Sequence, residues 1–184
     1  MNKKTLIVLV GGPCSGKSSA GKIAAKNLHA QYISSGDIAR EMARYDVDMQ
    51  MDLDKGKLAP EQRMRQEVSK RLWKYFHKKD QDLIILDGFP RFGEQAEWLH
   101  GELHNISIRY VCIYASDHVL RARAKNRNRG DDGSFEDRLR YYRYTTYIDL
   151  RNRINYYIDG EGSIEECATL LENFVRGLDN VKDR

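Results

Sequence analysis

Residues Leu6-Ile7-Val8-Leu9-Val10 are apolar without a break, and the chain passes from them directly into Gly11-Gly12-Pro13-Cys14-Ser15-Gly16-Lys17-Ser18. A short apolar run closed by glycines has the pattern of a buried strand. The eight residues that follow match the phosphate-binding loop, Gly-x-x-x-x-Gly-Lys-Ser, in full. Its terminal glycines let the backbone wrap around an anion, so that N–H groups point inward at a β-phosphate. The helix that must follow adds the positive end of its dipole. Lys17 then supplies a point charge near the β- and γ-phosphates. Strand, loop and helix in this order imply that the chain binds a nucleoside triphosphate.

The same punctuation recurs downstream. Apolar runs ending in turn residues stand at Leu6–Val10, Leu83–Leu86 and Ile106–Tyr114, with helical patterns between them. Such βαβ alternation predicts a parallel sheet covered by helices on both faces, with ligands at the carboxyl ends of the strands. Met64, Val68, Leu72, Tyr75 and Phe76 keep helical spacing and predict a core helix over Glu61–Lys79, just after Pro60. Phe135, Leu139, Tyr142, Thr146 and Leu150 form a second stripe, entered through Ser134 as cap. A short strand is expected at Ile154–Ile158. Ser163-Ile164-Glu165-Glu166 reads as a capping box opening the last helix, which turns Cys167, Leu170, Leu171 and Phe174 inward. Met42–Ala59 and Arg127–Gly133 fit no core element and are expected to be movable covers beside the loop, which a water-excluding phosphoryl-transfer site requires.

Composition narrows the class. At 184 residues the chain fits one domain whose core needs no disulfide or metal to hold it, and 41% apolar with 32% charged residues is a globular profile. No apolar stretch is long enough to cross a bilayer. The basic Met1-Asn2-Lys3-Lys4 precedes an apolar run that enters the phosphate loop, which a cleaved signal would not do. Cys14, Cys112 and Cys167 lack paired-ligand spacing, which points to a reducing, cytoplasmic setting without a zinc site. The net charge is +4, and its surplus lies between Arg121 and Arg153, so the partner is anionic. His100 and His104 are separated by Gly101 and have no third ligand at metal spacing, so they read as surface residues.

Two more constellations carry chemistry. Asp87 closes the run Leu83–Leu86 and precedes Gly88-Phe89-Pro90-Arg91. A carboxylate there, beside the phosphate loop, suits Mg2+ held through its waters. Ser34-Ser35-Gly36-Asp37-Ile38-Ala39-Arg40 stands where a second strand would turn into a helix, with Arg40 within reach of a substrate phosphate. An acceptor that is itself a phosphate is already anionic and needs no base, so arginines suffice to handle it.

Taken in order, Gly11 to Lys17, Ser35-Gly36-Asp37 with Arg40, and Asp87-Gly88-Phe89-Pro90-Arg91 resemble the adenylate kinase family. The likeness continues through Asp54-Lys55-Gly56-Lys57-Leu58-Ala59-Pro60, Arg129-Gly130-Asp131-Asp132 and Glu161-Gly162-Ser163, and so covers nearly the whole chain. It implies a P-loop kinase of the α/β class, three layers α/β/α with a parallel five-stranded sheet. It also implies a small monophosphate-binding insertion over 35–64 and a short lid over 123–133 within a single domain, 1–184. The implied activity is Mg-dependent transfer of the γ-phosphoryl group of ATP to a nucleoside monophosphate, by a monomer without a membrane or nucleic-acid partner.

The resemblance assigns residues by position. Gly11, Gly12, Pro13, Cys14, Ser15, Gly16, Lys17, Ser18 and Ser19 would hold ATP, together with Arg123 and Arg127. Ser35, Gly36, Arg40, Lys57, Leu58, Gly88, Arg91, Gln95, Arg129 and Arg138 would hold the monophosphate. Lys17, Arg91, Arg123, Arg129 and Arg138 would neutralise the migrating phosphoryl group, a task that suits the guanidinium fork. Asp87 would meet Mg2+ through water. Ser18 restores the hydroxyl that other phosphate-loop proteins place on that ion. Gln95, four residues beyond Arg91, offers an amide that both donates and accepts, as the N6 and N1 edge of adenine requires, and favours AMP. Ser35 keeps a hydroxyl and points the same way. UMP, CMP or a deoxynucleoside monophosphate is the alternative acceptor. The alternative of another class is a nucleotide- or RNA-binding protein on the same fold, suggested by the interleaved Arg138, Arg140, Tyr141, Tyr142, Arg143, Tyr144 and Tyr147. The chain departs from the family at Cys14 and Ser18, where glycine is commoner, and in a lid several residues shorter between Arg127 and Arg129.

Overall fold

The computed structural model describes residues 4–55, 57–126 and 134–180. Among them β1 (Thr5–Val10), β2 (Gln31–Ser34), β3 (Leu83–Asp87), β4 (Ser107–Tyr114) and β5 (Ile154–Asp159) form one sheet in the order β2-β3-β1-β4-β5. Every pairing in it is parallel. Side chains of a strand alternate between faces, and β1 shows what this does to an unbroken apolar run. Leu6, Val8 and Val10 enter one core with Val68, Leu72 and Phe76 of helix α4 (Glu61–Phe76) and with Ala96 and Leu99 of α5 (Gly93–Glu102). Ile7 and Leu9 enter a second core with Ala20 and Ala24 of α1 (Lys17–Asn27) and with Cys167 and Leu171 of α9 (Ile164–Asn180). The result is three layers, with β1 wholly buried at the centre. Burying a side chain such as Leu72 or Phe76 contributes roughly 1.5–3 kcal/mol, so the two cores hold the sheet between its helices.

Chain order makes the cleft. From β1 the chain crosses to β2 at one edge, returns to β3 beside β1, then passes to β4 on the far side of β1. Connections leaving β1 and β3 therefore diverge above the carboxyl ends, opening the crevice where such sheets bind ligands. The capping box behaves as read: Ser163 N donates to Glu166 Oε2 at 2.8 Å and Glu166 N to Ser163 Oγ at 3.1 Å.

Three expectations need correction. On α9, Leu170 is 39% exposed and does not turn inward with Cys167 and Leu171. Met42–Ala59 is not devoid of core structure. Helix α2 (Ser35–Ala43) leads into α3 (Val47–Asp54), whose Met49 is buried and whose Leu53 packs on the same core. Its aspartates hid it, because Asp46 is the cap, accepting from Met49 N at 3.0 Å, and Asp48 lies in the first turn, where the helix dipole favours an anion. The stripe from Phe135 to Leu150 is not one regular helix either. After α6 (Asp117–Lys125) come α7 (Phe135–Tyr141), a π-helical stretch over Tyr142–Tyr147, α8 (Ile148–Leu150) and a 3-10 turn over Arg151–Arg153. Arg127–Gly133, the other expected cover, lies outside the described residues, and so do Arg127 and Arg129.

Candidate active site

The loop after β1 has the backbone its glycines imply, with one exception. Gly16 takes φ +90° as the cap of α1, and a Cβ on Gly11 would fall 2.4 Å from the Ile113 carbonyl oxygen. Cys14 also adopts a left-handed φ, +63°, without being glycine. This explains why glycine is commoner there, and the side chain costs about 1–2 kcal/mol in that region. No side chain caps α1 among the described residues, so its first N–H groups remain available to an anion. Lys17 arches back over the loop, its Nζ 3.1 Å from the Gly12 carbonyl oxygen. Gly160, just beyond β5, closes the other side. A Cβ there would lie 2.8 Å from the carbonyl oxygens of both Ser15 and Tyr114.

Opposite Lys17, Asp87 ends β3 with only 4% of its surface exposed. Its Oδ2 accepts from Ser18 Oγ at 2.5 Å and from Tyr32 Oη at 2.7 Å. Its Oδ1 is buried and has no hydrogen-bond partner among the described residues. Burial, and then the charge of Asp87, push the Tyr32 hydroxyl well above its ordinary pKa, so it stays a donor. A buried carboxylate oxygen lacking a donor, beside a serine hydroxyl, fits a hard cation that keeps most of its waters. Among the described residues no cluster of three His, Cys, Asp or Glu forms a protein cage for a metal.

A cleft of about 430 Å³ joins this phosphate end to a second one. Gly11, Pro13, Lys17, Ser18 and Asp87 line the first end, and Ser35, Gly36, Arg40, Lys57, Leu58, Gly88, Arg91, Gln95 and Arg138 the second. Gly88, at φ +79°, approaches Ser35 so closely that a Cβ would fall 2.6 Å from its Oγ. Arg91 is aimed by its own turn: Nε donates to the Gly88 carbonyl at 3.0 Å and the backbone N to Gln95 Oε1 at 2.8 Å. Gln95 is buried, so its amide is part of the wall. Arg40 pairs with Asp37 at 2.6 Å. Burial raises the Asp37 carboxyl pKa, but the hydrogen bond and charge of Arg40 outweigh it and leave the value below the ordinary one. Lys57 pairs with Asp52 at 2.7 Å.

Not every expected residue reaches the cleft wall. Gly12, Cys14, Ser15 and Gly16 shape the loop from behind, and Ser19 is exposed on α1. Arg123 turns to the loop after β5, its guanidinium donating to the carbonyls of Gly160 at 2.6 Å, Glu161 at 3.2 Å and Gly162 at 3.3 Å. Conversely, Asp137, Tyr141, Tyr142 and Thr146 line the cleft without having been singled out as site residues. The Tyr142 ring covers the loop, 3.3 Å from where a Cβ of Gly12 would stand. Tyr142 and Thr146 were legible as an inward stripe, whereas Tyr32 carried no signal in the sequence.

Among the described residues of the basic run between Arg121 and Arg153, Arg121 meets Glu136 at 2.9 Å, Arg140 meets Asp137 at 2.7 Å and Arg143 meets Asp117. Among the described residues no helix is long and apolar enough to cross a membrane.

Comparison with known proteins places the chain among relatives. A family model described as an AAA domain matches residues 10–140. Adenylate kinase 1 of Nostoc sp. is 35% identical over 183 residues, covering 91% of this chain and 97% of that protein. Adenylate kinase of Nitratiruptor sp. is 31% identical, covering 94% of this chain and 95% of its own length. UMP-CMP kinase 1 of Oryza sativa subsp. japonica is 26% identical, over 98% of this chain and 77% of that protein.

Proposed function

This chain belongs to the adenylate kinase family, and we propose on that premise that it is a nucleoside monophosphate kinase acting on AMP, ATP + AMP = 2 ADP. The observation that carries this reading is the single cleft with a triphosphate loop at one end and paired arginines at the other. The backbone N–H groups of the loop Gly11–Gly16, Pro13 excepted, and the side chain of Lys17 hold the β- and γ-phosphates of ATP. Arg40 and Arg91 grip the phosphate of the acceptor, exchanging their present partners, Asp37 and the Gly88 carbonyl, for its oxygens. No residue has to act as base, since the attacking oxygen is already ionised. Arg138, with Arg129 and Arg127 of the lid, neutralises the phosphoryl group in transit, and Arg123 secures the loop after β5 against the ATP end. Asp87 and Ser18 hold Mg2+, largely through its waters. That ion, when bound, would offset the charge of the phosphates.

AMP is favoured by the buried Gln95. Its Oε1 is anchored by Arg91 N, which turns the amide plane and leaves Nε2 to donate to a ring nitrogen such as adenine N1. The segments 35–64 and 123–133 act as monophosphate-binding insertion and short lid. Cys112 and Cys167 lie in the cores on opposite faces of the sheet, which accords with a cytoplasmic setting.

A coupled assay with Mg-ATP and a panel of AMP, dAMP, CMP, UMP, GMP and dTMP tests this. AMP should give the highest kcat/KM. Highest activity with CMP or UMP would overturn the base assignment, and no phosphorylation of any acceptor would overturn the kinase reading. Arg91→Ala should cost about 100-fold or more in kcat/KM, the usual price of one transition-state donor.

A further inference from the structure

We infer that Tyr32 is a positioning residue for the metal side of the site, acting through Asp87 to fix which atoms face Mg2+. The role rests on reading the cleft as a Mg-ATP site. Each carboxylate oxygen offers two lone pairs. At Asp87 both lone pairs of Oδ2 are taken, one by Ser18 Oγ at 2.5 Å and one by Tyr32 Oη at 2.7 Å, while Oδ1 has no partner among the described residues. A carboxylate held by a single hydroxyl can still turn about its last torsion. Two hydroxyls arriving at one oxygen from different elements, α1 and β2, remove that freedom.

Ser18 is fixed by the same arrangement. Its one proton is committed to Asp87, so its oxygen turns only lone pairs to the cleft, the donor type a hard cation or its water accepts. Without the Tyr32 hydroxyl, Oδ2 would have a lone pair to spare, and both carboxylate and serine could adopt other pairings.

Tyr32 is itself held in place. A Cβ at Gly21 of α1 would come within 3.1 Å of the tyrosine ring, and Lys22 Nζ stands 5.7 Å from the ring centroid. Glycine at 21 thus admits the ring where its hydroxyl meets Asp87. Phenylalanine would fill the same space, so packing accounts for the ring and leaves the hydroxyl to be explained by Asp87.

The test is Tyr32→Phe, read first by Mn2+ binding to the complex with a nonhydrolysable ATP analogue, followed by electron paramagnetic resonance. Loss of an outer partner of a metal site weakens metal affinity by about 10- to 100-fold. The expected result is Mn2+ affinity about tenfold weaker, with analogue affinity in excess EDTA unchanged. In kinetics the Mg2+ requirement should shift upward while KM for the monophosphate stays fixed. Mn2+ affinity within twofold of the parent would overturn the inference. So would an equal loss of metal-free analogue affinity, which would make Tyr32 a prop of the loop and not of the carboxylate. Failure of the kinase reading is separable, because it would show in the unsubstituted protein as a lack of phosphorylated acceptor.

Discussion

Replacing Gly160 by alanine adds one methyl group at the seam between the loop after β5 and the phosphate loop. That methyl would stand 2.8 Å from the Ser15 carbonyl oxygen, 2.8 Å from the Tyr114 carbonyl oxygen and 2.9 Å from Ile113 Cγ2. Two of the three are backbone atoms that cannot rotate away, so the loop must move as a unit. Overpacking of this kind costs about 1–3 kcal/mol. Against it, alanine restricts the unfolded chain and returns about 0.4–1 kcal/mol. At mid-range the clash wins, by about 1.3 kcal/mol, which for a domain of this size lowers Tm by about 3–5 °C.

Gly177 on α9 provides the control, because a Cβ there meets nothing within 4 Å. The same chemical change at a helix interior should stabilise by about 0.5–1 kcal/mol, raising Tm by about 1–4 °C. Thermal unfolding followed by circular dichroism reads both. Because the displaced element is Ser15 of the phosphate loop, Gly160→Ala should also raise KM for ATP and leave KM for the monophosphate alone. A Tm for Gly160→Ala at or above the parent's would refute the reasoning, as it would mean the seam yields without cost.

Arg123→Ala should raise KM for ATP by about tenfold or more, since it removes charge-assisted hydrogen bonds to three carbonyls of the 160–162 loop. A fall in kcat at unchanged KM would instead assign Arg123 to the phosphoryl group in transit. Cys14→Gly relieves a left-handed backbone worth about 1–2 kcal/mol and loosens the unfolded chain by about 0.4–1 kcal/mol. Calorimetry should therefore record a Tm no lower than the parent's, and a drop beyond about 2 °C, roughly 0.5–1 kcal/mol here, would contradict the strain. At the start of α9, the Ser163 backbone N–H holds the Glu166 carboxyl below its ordinary pKa. Its contribution is present above the unfolded glutamate value, roughly 4.3, and is lost as pH falls through the lower folded value. The stability difference between the parent and Glu166→Gln should shrink on acidification through that window, and a difference flat with pH would count against the cap.

What could be read from the residues alone was whatever closes within a few positions. The strand-to-loop junction at Val10, the capping box at Ser163 and the carboxylate at the end of β3 are local patterns, and each stands where its spacing put it. The aspartates of α3 misled because one residue type serves both as surface charge and as cap, and composition does not distinguish the two. The π-helical stretch after Tyr141 was hidden for a related reason. An inward stripe at 139, 142, 146 and 150 is satisfied by regular or widened turns, and only packing against the cleft chooses between them.

Contacts between distant segments were invisible because they depend on strand order, which no spacing encodes. Once β2 is known to lie beside β3, the metal side of the site can be derived. The register pairs Tyr32 with Ile85 and Ser34 with Asp87, so Tyr32 and Asp87 project from one face of the sheet, a stagger of two residues apart. That is the face covered by α1, the helix that begins with Lys17 and Ser18. A tyrosine is long enough to span the stagger and a phenylalanine lacks the atom to use it, so the hydroxyl meets the carboxylate from one side as Ser18 meets it from the other. Ser18, where the family more often has glycine, is thus one half of a pair whose other half stands on a different strand. Exchanging Ser18 for glycine should accordingly leave Asp87 with a single donor, and the dependence on Tyr32 should grow.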